Sequence, residues 1–183
     1  IMSTIDNTNP PSIKLNKVRL SYPSLFNVKI WDEDKPGKYE ATFILDKQKH
    51  QKEIDAINHQ IDLHFEQLKV SRSKIKADHI CLKDGDLTDR EEYQNSYTIK
   101  ATSANRFPIV NKDGVTPVHE SDEVFYAGCY VSAYIDLWVY TKPNAGVACN
   151  LRAIQFVSKG DAFGTPKFDI SGKFESIEDE ELF

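Results

Sequence analysis

The sequence predicts a mainly β protein: a small, partly open antiparallel barrel with one inserted helix and a flexible acidic C-terminal tail. Three observations predict it. Residues 124–140 (VFYAGCYVSAYIDLWVY) alternate with a period of two over a length that only a long strand explains. A single segment carries helical periodicity, and no βαβ rhythm appears around it, which disfavours a doubly wound sheet. The last nine residues, ESIEDEELF, hold five acids and no Lys or Arg.

The chain has 183 residues, 40% of them hydrophobic, enough for one domain with appendages. Residues 1–12 read as a flexible arm ending in Pro10-Pro11. Residues 13–20 form a first strand, with Leu15, Val18 and Leu20 against Lys14, Lys17 and Arg19. Tyr22, Phe26, Lys29 and Trp31 follow, then a turn at 32–37. Residues 38–45 (KYEATFIL) are a second strand with Tyr39, Ala41, Phe43 and Leu45 on one face.

The helix is expected over 47–70, where Ile54, Ile57, Ile61, Phe65 and Leu68 make one apolar stripe, with Asp46 as its N-cap. His50, His59 and His64 are never four apart, so they read as exposed residues rather than metal ligands. Residues 71–96 are polar and turn-rich. Asp84, Asp86 and Asp89 open like a calcium loop, but Asn95 stands where a bidentate Glu is required, so the stretch reads as a solvated loop. Residues 96–103 (SYTIKATS) alternate again, with Tyr97, Ile99 and Ala101 opposite Thr98, Lys100 and Thr102.

The long strand 124–140 offers a wholly apolar face (Phe125 to Val139) and an aromatic face of Tyr126, Tyr130, Tyr134, Trp138 and Tyr140. A closing strand with a bulge is expected over 147–157, placing Leu151 and Ala153 on one face and Arg152, Ile154 and Phe156 on the other. Five or so strands with one helix after an early strand fit an OB-fold-like barrel over 13–158, although strand count alone leaves a sandwich open. Residues 159–174 read as a flexible linker with Phe163 and Phe168 as sticking points, and 175–183 as an acidic interaction tail. Linker and tail, roughly 25 residues, would reach ~25–30 Å.

No apolar run approaches the roughly 18 residues of a membrane span. Cys81, Cys129 and Cys149 are scattered and odd in number, which suits free thiols in a reducing cytoplasm. The net charge of −5 comes entirely from the tail, because residues 1–174 hold 23 acids and 23 bases. P-loop, HExxH, GxSxG and paired CxxC motifs are all missing, so the expectation is a binding protein without cofactor or metal rather than an enzyme.

Bases and aromatics interleave on the expected strands: Arg19 with Tyr22, Lys29 with Trp31, Lys38 with Tyr39, Tyr97 with Lys100, Arg106 with Phe107, Tyr140 with Lys142, and Arg152 with Phe156. Single-stranded nucleic acid asks for this mixture, since cations track phosphates and aromatic faces stack on bases of any sequence. Aromatics favour strands anyway, and any one pair means little. Seven pairs joined to Tyr130, Tyr134, Trp138 and Tyr140 point to a nucleic-acid groove. Asp136 sits on the same face and opposes phosphate, so part of that face points elsewhere.

Glu178, Asp179, Glu180, Glu181, Leu182 and Phe183 imitate a polyanion with an apolar tip. Such a tail suits competition for the groove or capture by a partner. The ending EDEELF resembles the acidic, aromatic-terminated tails of bacterial and phage single-stranded DNA-binding proteins. KVRLSYPSLF (17–26), GCYVSAYIDLW (128–138) and LRAIQF (151–156) together resemble a phage family of OB-fold single-stranded DNA-binding proteins, once catalogued as a domain of unknown function. The resemblance implies an OB-fold, sequence-tolerant binding of single strands, and a role in phage replication or recombination within the infected host's cytoplasm. The expected partners are single-stranded DNA, double-stranded DNA or RNA more weakly, replication or recombination proteins through the tail, and a second copy of the chain as a homodimer. Two other readings stay open at this point: a metal-dependent nuclease of phage recombination, and an adaptor that docks a polypeptide on its aromatic face.

Overall fold

The computed structural model describes residues 9–164 and 168–179. The first strand, β1 (Ile13–Lys29), is longer than the sequence suggests because two bulges keep it in register with the core. Ile13 and Leu15 point inward; Lys17, at φ 50°, shifts the phase by one residue, so Val18 and Leu20 take the next core positions. Tyr22, at φ 46°, shifts it again before Leu25. Each bulge bends the strand and deepens its twist. The first part of β1 therefore pairs with β6 (Tyr130–Tyr140), and the rest with β2 (Lys38–Asp46).

The barrel runs β1–β2, then β2 to β4 (Ser96–Ser103), and β1–β6, then β6 to β7 (Gly146–Ser158), all antiparallel. One parallel pair, Thr102 with Asn150, joins β4 to β7 and closes the ring of five strands. Where β4 and β7 splay apart, β3 (Leu82–Asp84) pairs with β4 and Ile80 bridges to Val147. A two-residue strand, β5 (Ile109–Val110), lies along β7. The fold is thus the expected OB-like barrel with one helix.

That helix is α1 (Gln51–Gln67), shorter than the expected 47–70. Its N-cap is His50; Asp46 instead holds the preceding turn, its Oδ1 accepting from the Gln48 and Lys49 amides at 2.8 and 2.9 Å. Ile54, Ile57, Ile61 and Phe65 pack onto the barrel as the stripe predicts. His64, expected at the surface, is fully buried on the same stripe. Burial pushes its pKa below the ordinary 6.5, against a smaller opposing effect of the Leu137 backbone. The folded protein therefore holds this imidazole neutral, while the unfolded chain takes up a proton as pH falls. The stability that His64 permits is complete above about pH 6.5 and lost progressively below it. Urea midpoints measured from pH 7.5 to 5 should fall for the wild type and fall less for His64→Leu.

Other expectations are corrected in register. The stretch 71–96 is no open loop: Lys47 Nζ bridges Asp84 Oδ1 and Asp86 Oδ2, both at 2.7 Å, and Asp86 Oδ1 accepts from the Asn95 amide. Two of the three acids that opened like a calcium loop, Asp84 and Asp86, thus hold a lysine, whose pKa they raise. In β7 the bulge falls at Arg152, with Leu151 opposite Ile135 and Ala153 opposite Tyr134. Leu151, Ile154 and Phe156 therefore share the core face, and Arg152 turns outward. Residues 160–163, expected to be a free linker, are pinned. Tyr126 Oη donates to the Gly160 carbonyl and accepts from its amide, and the Phe163 amide donates to Ala127 O at 3.1 Å.

Candidate nucleic-acid interface

Strand register builds one outer surface across β1, β2 and β4. Ser21 stands beside Thr42 and Thr42 beside Lys100; in the next row Ser24, Glu40 and Thr102 follow one another. Thr98 and Lys83 extend it toward β3. Thr42, Lys83, Thr98, Lys100 and Thr102 floor a trough of about 480 Å³, walled by Tyr93 on one side and by Asp78, His79, Tyr140 and Ala148 on the other. A second hollow of about 180 Å³ shares Lys100 and Thr102 with it and adds Lys29, Trp31, Lys35, Lys38 and Glu40. The two hollows therefore adjoin at Lys100 and Thr102, and together they extend from the β1–β2 loop that carries Trp31 to the base of the β6–β7 loop at Tyr140.

Trp31 is 71% exposed. The ammonium groups of Lys29 and Lys100 lie over its ring, 4.2 and 4.8 Å from the centroid. Both lysines also meet the nearly buried Glu40, Lys29 Nζ at 3.5 Å and Lys100 Nζ at 2.8 Å. On the Tyr93 side, the Arg90 guanidinium covers the half-exposed Tyr22 at 4.8 Å and Tyr93 at 5.7 Å. Tyr93 Oη and Ser21 Oγ share a hydrogen bond of 2.9 Å, which anchors this wall to β1.

Of the residues singled out in the sequence, Lys29, Trp31, Lys100 and Tyr140 line the trough, and Tyr22 borders it through Arg90 and Tyr93. The rest are placed otherwise. Tyr39 is 8% exposed and meets Phe107 edge-on at 6.0 Å, with the Arg106 guanidinium 5.8 Å from its ring, and Phe107 packs against the core. Tyr97 lies on the core face of β4 beneath Lys47. Arg19 donates to the carbonyls of Gly128 and Asp161 and stacks on Phe163 at 4.4 Å and Tyr130 at 5.6 Å, clamping the segment after β7. Tyr134 is exposed beside Lys14, next to a separate hollow lined by Val110 and Ala153. Trp138 packs on Tyr140 at 5.7 Å.

The expected aromatic platform is thus divided between three neighbourhoods. Asp136, the residue at odds with phosphate, is nearly buried and neutralised: Arg152 Nε stands 3.4 Å from Oδ2, and Asn150 Nδ2 donates to Oδ1 at 2.7 Å. Arg152 consequently serves that pair. In the tail, Glu178 and Asp179 are exposed, whereas Glu180, Glu181, Leu182 and Phe183 lie outside the described residues. The sequence reading missed Glu40, Thr42, Thr98, Thr102, Lys83, Arg90 and Tyr93. The alternation of 38–45 and 96–103 already put Thr42 and Lys100 on outward positions, and that was the available signal.

Residues 11–183 match the family described as the single-stranded DNA-binding protein of Enterobacter phage Enc34. The chain belongs to this family. It is 31% identical over 180 residues to protein p50 of Acyrthosiphon pisum secondary endosymbiont phage 1, covering 93% of this chain and 97% of that one. Among solved structures, the Enc34 single-stranded DNA-binding protein in complex with single-stranded DNA superimposes with a TM-score of 0.74 at 27% identity, over 84% of this chain and 89% of the other. The single-stranded DNA-binding protein gp2.5 of bacteriophage T7 shares the fold, with a TM-score of 0.58 at 13% identity over 91% and 98% of the two chains. In an OB-fold, the face of the second and third barrel strands and the loops flanking it bind oligonucleotides. In this Enc34-family chain those strands are β2 and β4, and the loops are 30–37 and 141–145.

Proposed function

We propose that the protein binds single-stranded DNA, with little regard to sequence, along the trough over β2 and β4, and coats single strands during phage DNA replication or recombination in the infected cell's cytoplasm. The observation that carries this reading is the grouping of Lys29, Lys100 and Lys83 with the exposed ring of Trp31 in two adjoining hollows that share Lys100 and Thr102. Lysines follow the backbone, Trp31 stacks on a base, and the hydroxyls of Thr42, Thr98 and Thr102 accept or donate to whichever groups pass. The hollow carries no array of groups that would read one base against another, which suits sequence tolerance. Double-stranded DNA and RNA bind more weakly. The acidic tail, with its five carboxylates and no base, competes for the same lysines and recruits replication or recombination proteins.

Anisotropy of a labelled oligo-pyrimidine strand, titrated with the full chain and with a chain ending at Lys173 at several salt concentrations, tests both statements. Binding should weaken with salt, with a log–log slope of about −0.7 per phosphate contacted, and should strengthen at low salt without the tail. No binding by either chain at low salt contradicts the reading. Equal binding by both removes the competition and leaves the tail to partners. Magnesium-dependent loss of the strand would favour a nuclease instead.

A further inference from the structure

Glu40 is an unexpected residue to find on the floor of a hollow meant for phosphates. Alternation in β2 puts Tyr39 and Ala41 in the core and turns Glu40 outward, between Ser24 on β1 and Thr102 on β4. It is nonetheless only 4% exposed, because Lys29 and Lys100 close over it. Its Oε1 has no hydrogen bond of its own and rests on the ion pair with Lys29 alone. The same two ammonium groups stand over Trp31. A base stacked on that ring would need its atoms at about 3.5–4.0 Å, in space that the ammonium groups share.

Resting on the proposed binding of single strands in this trough, we infer that Glu40 is an internal counter-ion that regulates it. Glu40 neutralises one of the two lysines and holds both over Trp31 until phosphates draw them away and open the part of the ring that they cover. The carboxylate therefore lowers affinity for the strand. Lys83 lines the same trough without an ion pair among the described residues, so it is available to phosphate from the start.

Anisotropy of a labelled oligo-dT strand, over a range of salt concentrations, compares the full-length wild type with Glu40→Gln. The variant should bind about 3- to 10-fold tighter near 0.1 M salt, with a log–log slope steeper by about 0.7 for one added phosphate contact. Equal or weaker binding by a folded variant, with an unchanged slope, overturns the inference. If Glu40→Gln fails to fold, lysine substitutions in the wild-type background decide. Lys83→Gln should then flatten the slope by about 0.7, and Lys29→Gln with Lys100→Gln in one chain by about the same amount, because Glu40 already offsets one of the two; a loss of about 1.4 from that double variant overturns it. Absence of wild-type binding takes down the function itself, whereas wild-type binding indifferent to Glu40 takes down only this inference.

Discussion

Replacing Trp31 by Ala weakens binding of a short pyrimidine strand by about 5- to 150-fold, the range expected when one base loses a stacking partner worth about 1–3 kcal/mol. The side chain is mostly exposed and sits in the 30–37 loop, so its removal leaves the core intact. Stability should change by less than about 0.5 kcal/mol. Truncation also removes the surface that Lys29 and Lys100 cover, but their pairing with Glu40 remains to hold them in place. Tyr134→Ala is the informative comparison. That tyrosine is 45% exposed and has a lysine nearby, as Trp31 has, yet it lies beside the separate hollow of Lys14 and Val110. Its loss should change affinity by less than about twofold, since no strand in the trough touches it. A large effect at Tyr134 with none at Trp31 would move the binding surface to the other side of the barrel.

Gly128→Ala releases the segment that follows β7. Gly128 sits at φ 111°, in a conformation that side chains avoid, and a Cβ there would collide with the backbone carbonyl of Asp161. The collision is with backbone on both sides, so no rotamer change relieves it. Residues 160–163 must move, and with them go the Tyr126–Gly160 pair, the Phe163–Ala127 hydrogen bond and the stacking of Arg19 on Phe163. Strain of this kind costs about 1–3 kcal/mol. Hydrogen exchange should accelerate at the Gly160 and Phe163 amides while the amides of β2 and β4 keep their protection. Affinity of the trough for a short strand should stay within about twofold. Unchanged protection at Gly160 and Phe163 would show that Arg19 and Tyr126 do not hold this segment.

Much of the barrel was legible because strands write their periodicity locally. The third barrel strand runs Ser96–Ser103 as its alternation predicts, and Tyr39, Ala41, Phe43 and Leu45 are the buried face of β2. Bulges are harder to foresee. The three-residue step from Leu15 to Val18 was a trace of one, but the length of β1 also depends on its changing partners from β6 to β2. At Arg152 an unseen bulge position inverted the faces assigned to Ile154 and Phe156. The site was legible only in part, and for a physical reason. Lys29 beside Trp31 is a neighbour in sequence, whereas Lys100 reaches the same ring only through the registers of two strand pairs. Pairs of a base with an aromatic recur all along these strands, and three of the seven hold other parts of the protein. Arg19 clamps a returning segment, Arg106 seals Tyr39, and Arg152 balances Asp136. Proximity in sequence could not separate these from the pair that faces the trough.

A single strand bound as proposed runs over β2 and β4 between Trp31 and Tyr140. Photo-crosslinking of an oligo-pyrimidine strand carrying 5-iodouracil at successive positions, with the attached residues identified by mass spectrometry of the full chain, tests it most directly. Adducts are expected at Trp31 and Tyr140, with Tyr22 or Tyr93 from the intervening wall. Adducts confined to Tyr134 and the 108–115 segment would contradict it.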